Sequence, residues 1–402
     1  MSDSNVSVDP SGFPTSPAGF TAGAVYAGIK TYGENKLDLA ILASDRPCAV
    51  AATFTRNRLH SASVDVDRAH LANGRAQAVV VNSGIANSST GQRGLADARQ
   101  MTEWTANRLG IAATDVLVCS TGVIGHFLPM EQIGAGIDAI ALESTGGESF
   151  ARAIMTTDTR PKHASVRFGP YTLGGATKGS GMIHPNMATM LAFLTTDAPV
   201  QPAFLQATLS AVVDRSFNLL SIDGDTSPSD TVLLFANGAG GGEPITAESP
   251  LAGEFAAALE ALCTYLAKEM ARDGEGATKL IEFSVSGAAS VNDARNLVRI
   301  LSTSYLLKSA VHGADPNWGR VVAVVGRSGI VVSEPGVTVS ICGIRVFENE
   351  CPTEFDAAAV ASAMRGDTVT IEVDLGVGDS SATGWGCDLS ADYVSINADY
   401  HT

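Results

Sequence analysis

Short apolar runs rich in valine and isoleucine alternate along this chain with amphipathic stretches, and that alternation narrows the fold most. "AQAVVVNSG" (Ala76–Gly84), "DVLVCSTG" (Asp115–Gly122), "DTVLLFANG" (Asp230–Gly238) and "RVVAVVG" (Arg320–Gly326) have the length and β-branched content of buried strands, each closed by a glycine turn. Between them, "GLADARQMTEWTANRLG" reads as an amphipathic helix ended by Gly110. A second helix is predicted over "LAGEFAAALEALCTYLAKEMARDGEG". There Phe255, Leu259, Leu262, Leu266 and Met270 recur at three- and four-residue spacing, and Gly274 supplies the stop. "KLIEFSVSG" then alternates as a half-exposed strand does. The glycine-rich "ANGAGGGEP" reads as a surface connection, because no strand-to-helix context follows its glycines. The predicted class is α/β, with sheets covered by helices.

The chain has 402 residues and a net charge of −16. Such a negative field disfavours nucleic acid and anionic membranes, so no nucleic-acid or membrane partner is expected. An anionic small substrate would need a local basic site. No apolar stretch reaches the roughly 18 residues that span a bilayer, and the N-terminus lacks the apolar run of a signal peptide. A cytoplasmic location is expected. Six scattered cysteines without a CxxC pair read as reduced thiols, and no metal site is expected.

"KGSGMIHPNMATMLAFLTTD" (residues 178–197) carries no charged side chain between its ends and is broken by Gly179, Gly181 and Pro185. The order of Lys178 and Gly179 is wrong for a phosphate loop. "DGDTSPSDTVLL" opens like a calcium loop at Asp223, but Pro228 and Leu234 stand where glycine and a bidentate glutamate belong. Thr189 has chemical potential of its own. A threonine hydroxyl is a weak nucleophile, but cleavage ahead of it would place a new α-amine beside the hydroxyl. That amine, with a pKa near 8, can accept the hydroxyl proton. Ala188 is small enough for Oγ to reach its carbonyl, and the glycines tolerate the strained backbone that self-cleavage needs. The same Ala-Thr pair also occurs at positions 176, 207 and 277, and Met187, Met190, Leu191 and Leu194 equally suit plain core packing. Local chemistry leaves both readings open.

Longer blocks carry a resemblance. "GATKGSGMIHPNMATMLAFLTTDA", "FTRNR", "VVNSG", "CSTGVIG", "IMTTDT", "SIDGDTSPSDTV", "DGEGATKLI" and "HGADPNWGR" are similar, in the same order, to segments of the ornithine acetyltransferase (glutamate N-acetyltransferase) family of arginine biosynthesis. The likeness covers nearly the whole chain. It implies a layered α-β-β-α sandwich of the self-cleaving N-terminal-nucleophile-like type, with a smaller C-terminal α/β portion. It also implies scission between Ala188 and Thr189, giving an α chain of residues 1–188 and a β chain of 189–402 intertwined in one fold.

In the reaction so implied, Thr189 attacks the acetyl group of N2-acetyl-L-ornithine and passes it, as an ester, to L-glutamate in a ping-pong cycle. The resemblance places the oxyanion hole at Thr121 and Gly122. It places substrate contacts at Thr156, Lys178, Thr189, Glu275, Asn397 and Thr402. Lys178 suits the α-carboxylate shared by both substrates, while Glu275 could meet a cationic end or act through water. The last two contacts require the C-terminal tail to fold back into the site. No tightly bound cofactor is implied, although acetyl-CoA is a possible second donor, and the assembly implied is a dimer of αβ pairs, a heterotetramer. The chain departs from the family pattern at Ile85, Ser88 and Ser89, outside the nucleophile segment. Competing readings are an N-terminal-threonine amidase or aminopeptidase, a secondary-metabolite paralogue with another acceptor, and a non-catalytic amino-acid-binding protein.

Overall fold

The computed structural model describes residues 6–30, 36–184 and 190–399. Sixteen strands run through these residues. The first eight are β1 (Val8–Asp9), β2 (Phe20–Val25), β3 (Leu39–Phe54), β4 (Arg75–Ile85), β5 (Val116–Val123), β6 (Lys162–Phe168), β7 (Tyr171–Lys178) and β8 (Leu191–Thr196). They are followed by β9 (Leu220–Ser221), β10 (Thr231–Ala236), β11 (Leu280–Ala288), β12 (Thr338–Ile341) and β13 (Ile344–Glu348). The last three are β14 (Cys351–Pro352), β15 (Thr368–Asp374) and β16 (Ser380–Cys387).

Nine strands form one hydrogen-bonded sheet in the order β1-β6-β7-β8-β10-β3-β4-β5, with β2 also on β3. β3 belongs to two layers at once. Its residues 39–44 pair with β2 and its residues 49–54 with β10, and the register breaks between Ala43 and Cys48. The two halves of the sheet share a core: Val79, Val81, Leu117 and Cys119 from one pack with Leu191, Phe193, Leu233 and Phe235 from the other. The Phe150 ring meets that of Phe193 edge-on at 5.1 Å.

Alternate residues of the same strands point outward. Ile41, Val80 and Val118 meet Val66, Met101 and Ile137 from helices Ala62–His70, Gly91–Leu109 and Met130–Ala139. On the other outer face, Ala192, Leu194 and Val232 meet helices Pro202–Arg215 and Ala252–Arg272. The layers are therefore helix, sheet, sheet, helix. Strands buried on both faces need apolar residues at every position, which is why they read as continuous Val/Ile runs. Seven further strands, ordered β14-β13-β12-β15-β11-β16-β9, form a second sheet with its own core. This C-terminal α/β portion abuts helix Ala252–Arg272 through Trp385 and Cys387.

One element differs from its sequence reading. Residues 320–326 lie within a helix, Trp318–Arg327, and not in a strand. Val321, Val324 and Val325 are buried at helical spacing against the second sheet, so tertiary burial overrides their β-branched preference. The helix Gly91–Leu109 ends at Gly110 as expected, with φ +68. Helix Ala252–Arg272 is capped by Asp273, and Gly274, the expected stop, follows directly.

Candidate active site

The ends of β5 and β7 meet at one point. Lys178, the last residue of β7, donates from Nζ to Thr121 Oγ1 at 3.0 Å, and both side chains are buried. An ammonium can only donate, so Thr121 Oγ accepts here and its own O–H stays free to donate elsewhere. Next to it, Gly122 has φ +128, and a Cβ there would lie 2.3 Å from the carbonyl carbon of Gly84 on β4. No other residue fits that position.

Behind Lys178 lies a buried charge network. Asp158 accepts from Lys162 Nζ at 2.6 Å, from the Gly179 N–H at 2.7 Å and from the Thr156 N–H at 2.9 Å. Lys162 also bonds Asp273, whose carboxylate receives the Thr159 hydroxyl and backbone N–H. Burial opposes ionisation of Asp158, but the charges of Lys162 and Lys178 and the bonds it accepts hold its pKa below the usual carboxylate range. Burial lowers the proton affinity of Lys178, partly offset by Asp158 and Asp230.

The segment after β7 is pinned at nearly every residue. Ser180 Oγ donates to the Asp273 carbonyl at 2.6 Å, and its own carbonyl accepts from the Glu275 N–H at 2.9 Å. At Gly181 a Cβ would stand 2.4 Å from the Glu275 carboxylate, so glycine is needed for Glu275 to come this close. The Met182 and Ile183 N–H groups both donate to Asp223, at 2.5 and 2.9 Å. Asp223, the start of the calcium-like stretch, is thus occupied by backbone. Arg299 donates to His184 Nε2 at 2.7 Å, which leaves the proton on Nδ1, facing Ser221 Oγ at 3.0 Å. Burial and the Arg299 charge push the pKa of His184 down to about 4, so the ring is neutral.

The C-terminal helix Ala391–Asp399 returns to this region. Asn397 Nδ2 donates to Glu275 Oε2 at 2.7 Å. A cavity of about 530 Å³, lined by Asn57, Ile124, Met182, Asp223, Asp225 and Asn397 among others, opens beside that contact. A larger groove of about 990 Å³, between β6 and helix Ala252–Arg272, is lined by none of the predicted site residues among those described. Of those residues, Thr121, Gly122, Thr156, Lys178, Glu275 and Asn397 gather around the Lys178–Gly181 segment. Ala188, Thr189 and Thr402 lie outside the described residues. Sequence reasoning did not single out Asp158, Lys162, Asp273 or Asp230. Asp158, Asp273 and Asp230 stand inside the quoted motifs "IMTTDT", "DGEG" and "SPSDTV", and Lys162 follows four residues after Asp158.

A family model described as the ArgJ family matches residues 21–402. The chain belongs to the ArgJ family. It is 46% identical to the arginine biosynthesis bifunctional protein ArgJ of Dehalococcoides mccartyi, over 99% of this chain and all of that one. It is 48% identical to the protein of the same name from Symbiobacterium thermophilum, over 96% and 98% of the two chains. Among solved structures it is similar to the ArgJ protein of Bacillus halodurans, with 41% identity and a TM-score of 0.50, covering 51% of this chain and 97% of the other. Two of the glycines of this ArgJ family member at which a Cβ would collide, Gly122 and Gly181, stand at the site.

Proposed function

We propose that the chain is a self-cleaving acetyltransferase of arginine biosynthesis that moves the acetyl group of N2-acetyl-L-ornithine to L-glutamate. The contact between Lys178 Nζ and Thr121 Oγ1 carries this reading. It joins a buried cation, suited to a substrate carboxylate, to a hydroxyl whose proton is free for a developing oxyanion. Chain scission before Thr189 exposes its α-amine. The amine takes the Oγ proton as Oγ attacks the acetyl carbonyl, and the oxygen that becomes negative is met by Thr121 and the Gly122 N–H. Collapse breaks the C–N bond, the ammonium at residue 189 returns its proton to the departing amine, and ornithine leaves. The glutamate amine then attacks the acetyl ester, and the same steps in reverse release N-acetylglutamate.

Thr156, Lys178, Glu275, Asn397 and Thr402 hold the substrates, and residues 1–188 and 189–402 remain together as αβ pairs that dimerise. The protein works in the cytoplasm without a tightly bound cofactor and also accepts acetyl-CoA as donor, in keeping with the word bifunctional in the names of its relatives. A labelling experiment tests the reading. With N2-[14C-acetyl]ornithine the label should appear on the fragment beginning at Thr189 and leave it on adding glutamate. Release of free acetate at a rate indifferent to glutamate would contradict it.

A further inference from the structure

The cavity of about 530 Å³ beside the Glu275–Asn397 contact is charged with one sign. Asp223 and Asp225 line it, and among the described residues no lysine, arginine or histidine does. Asp223 is occupied, since the N–H groups of Met182, Ile183 and Asp225 all donate to it. The exposed carboxylate of Asp225 accepts no hydrogen bond among the described residues. Glu275, behind Asn397, is 7% exposed. Its Oε2 takes the Asn397 amide, while its Oε1 takes no hydrogen bond among the described residues. A carboxylate oxygen so deeply placed calls for a donor. Burial and the charges of Asp223, Glu275 and Asp225 raise the proton affinity of the Tyr393 hydroxyl on the same wall, as a negative field does.

We propose that this cavity takes the cationic side-chain end of the acetyl donor, and that Asp225 selects a basic chain over a neutral one. The inference rests on the acetyltransferase reading above and deepens it. The order of charges along one segment supports it. Lys178 opens the segment with a buried cation, Gly181 lies against the Glu275 carboxylate, and Met182 reaches the cavity wall. The site therefore runs from positive to negative. N2-acetyl-L-ornithine has the matching order, a carboxylate at one end and a δ-ammonium at the other.

An ammonium only donates, so it needs acceptors wherever it sheds water. Asp225 and the unmet Glu275 oxygen are acceptors of the right charge. Asp225 is exposed, so its pair with the ammonium stays partly hydrated and screened. Such a pair is worth up to about fivefold in affinity. L-Glutamate ends its side chain in a carboxylate and gains nothing from Asp225. Donor and acceptor therefore respond to this residue in different ways.

The test measures kcat/KM of the full-length protein for two donors, with L-glutamate as acceptor. One is N2-acetyl-L-ornithine and the other N2-acetyl-L-norvaline, which has the same chain without the ammonium. The wild type should prefer acetylornithine. In Asp225→Asn that preference should fall about fivefold, through KM, and the KM for glutamate should not rise. Asp225→Glu should keep most of the preference. A preference unchanged in Asp225→Asn, as when both donors lose equally, would overturn the inference and leave transfer itself standing. So would a wild type that does not distinguish the two donors. A wild-type protein that moves no acetyl group from acetylornithine to glutamate would instead remove the reading on which the inference rests.

Discussion

Thr121, Lys178 and Asp158 form a relay: Lys178 donates to Thr121 and lies in the field of Asp158, which Lys162 holds in place. Thr121→Val removes the free O–H and keeps the shape, so kcat for transfer should fall about 100-fold, as for other lost oxyanion donors. The thermal midpoint should fall as well, because the buried Lys178 ammonium loses the acceptor that Thr121 supplies. Asp158→Asn acts differently, because it leaves Lys162 and Lys178 buried with one carboxylate fewer. Breaking a buried pair in this way costs about 3–5 kcal/mol, to be read from urea unfolding. The pH dependence has a definite sign. Asp158 binds its proton less tightly folded than unfolded, so its ionised form stabilises the fold above the unfolded carboxylate pKa, about 4. That contribution is lost as the pH falls toward the depressed folded value, so the gap between parent and Asp158→Asn should narrow in acid. At this scale the sequence exposed the residues inside family-like motifs but not the relay. Lys162 and Asp273 are 111 positions apart, and nothing local to either predicts that they meet.

The elements were most legible where side-chain period and end signals agreed. The helix Gly91–Leu109 shows both, and its C-terminal Gly110 takes φ +68, a conformation that an alanine adopts with strain. Gly110→Ala should therefore cost about 1 kcal/mol in a denaturant melt and leave transfer unchanged. β4, β5 and β10 were legible for another reason. Burial on both faces demands an unbroken apolar run, and few other environments do. The same logic misread Arg320–Gly326. A short valine run suits a helix that buries one face and a strand equally well, and only the neighbouring sheet decides. Here that sheet takes Val321, Val324 and Val325 on a single helical face.

For the whole molecule, the proposed scission cuts through a continuous sheet. β8 and β10 follow residue 189 in sequence, yet they sit between β7 and β3, which precede it. β8 pairs with β7 over residues 173–178, and β10 pairs with β3 over 49–54. Two fragments joined by such ladders and by shared cores should not separate under native conditions. Size exclusion should give one peak, and a denaturing gel of the same peak two bands. None of this interleaving is visible in the order of motifs, because sequence gives neighbours along the chain and not across a sheet. The negative net charge also acts at this scale. On the proposed reading, Lys178 supplies the local positive charge that an amino-acid carboxylate needs against that field.

The mass of the purified protein decides whether the chain is cut before Thr189. The wild type should consist of two fragments, residues 1–188 and 189–402, and Thr189→Ala should remain one chain without transfer activity. An active wild-type protein with the mass of the uncut chain, or a Thr189→Ala protein that is still cut and still transfers acetyl groups, would contradict it.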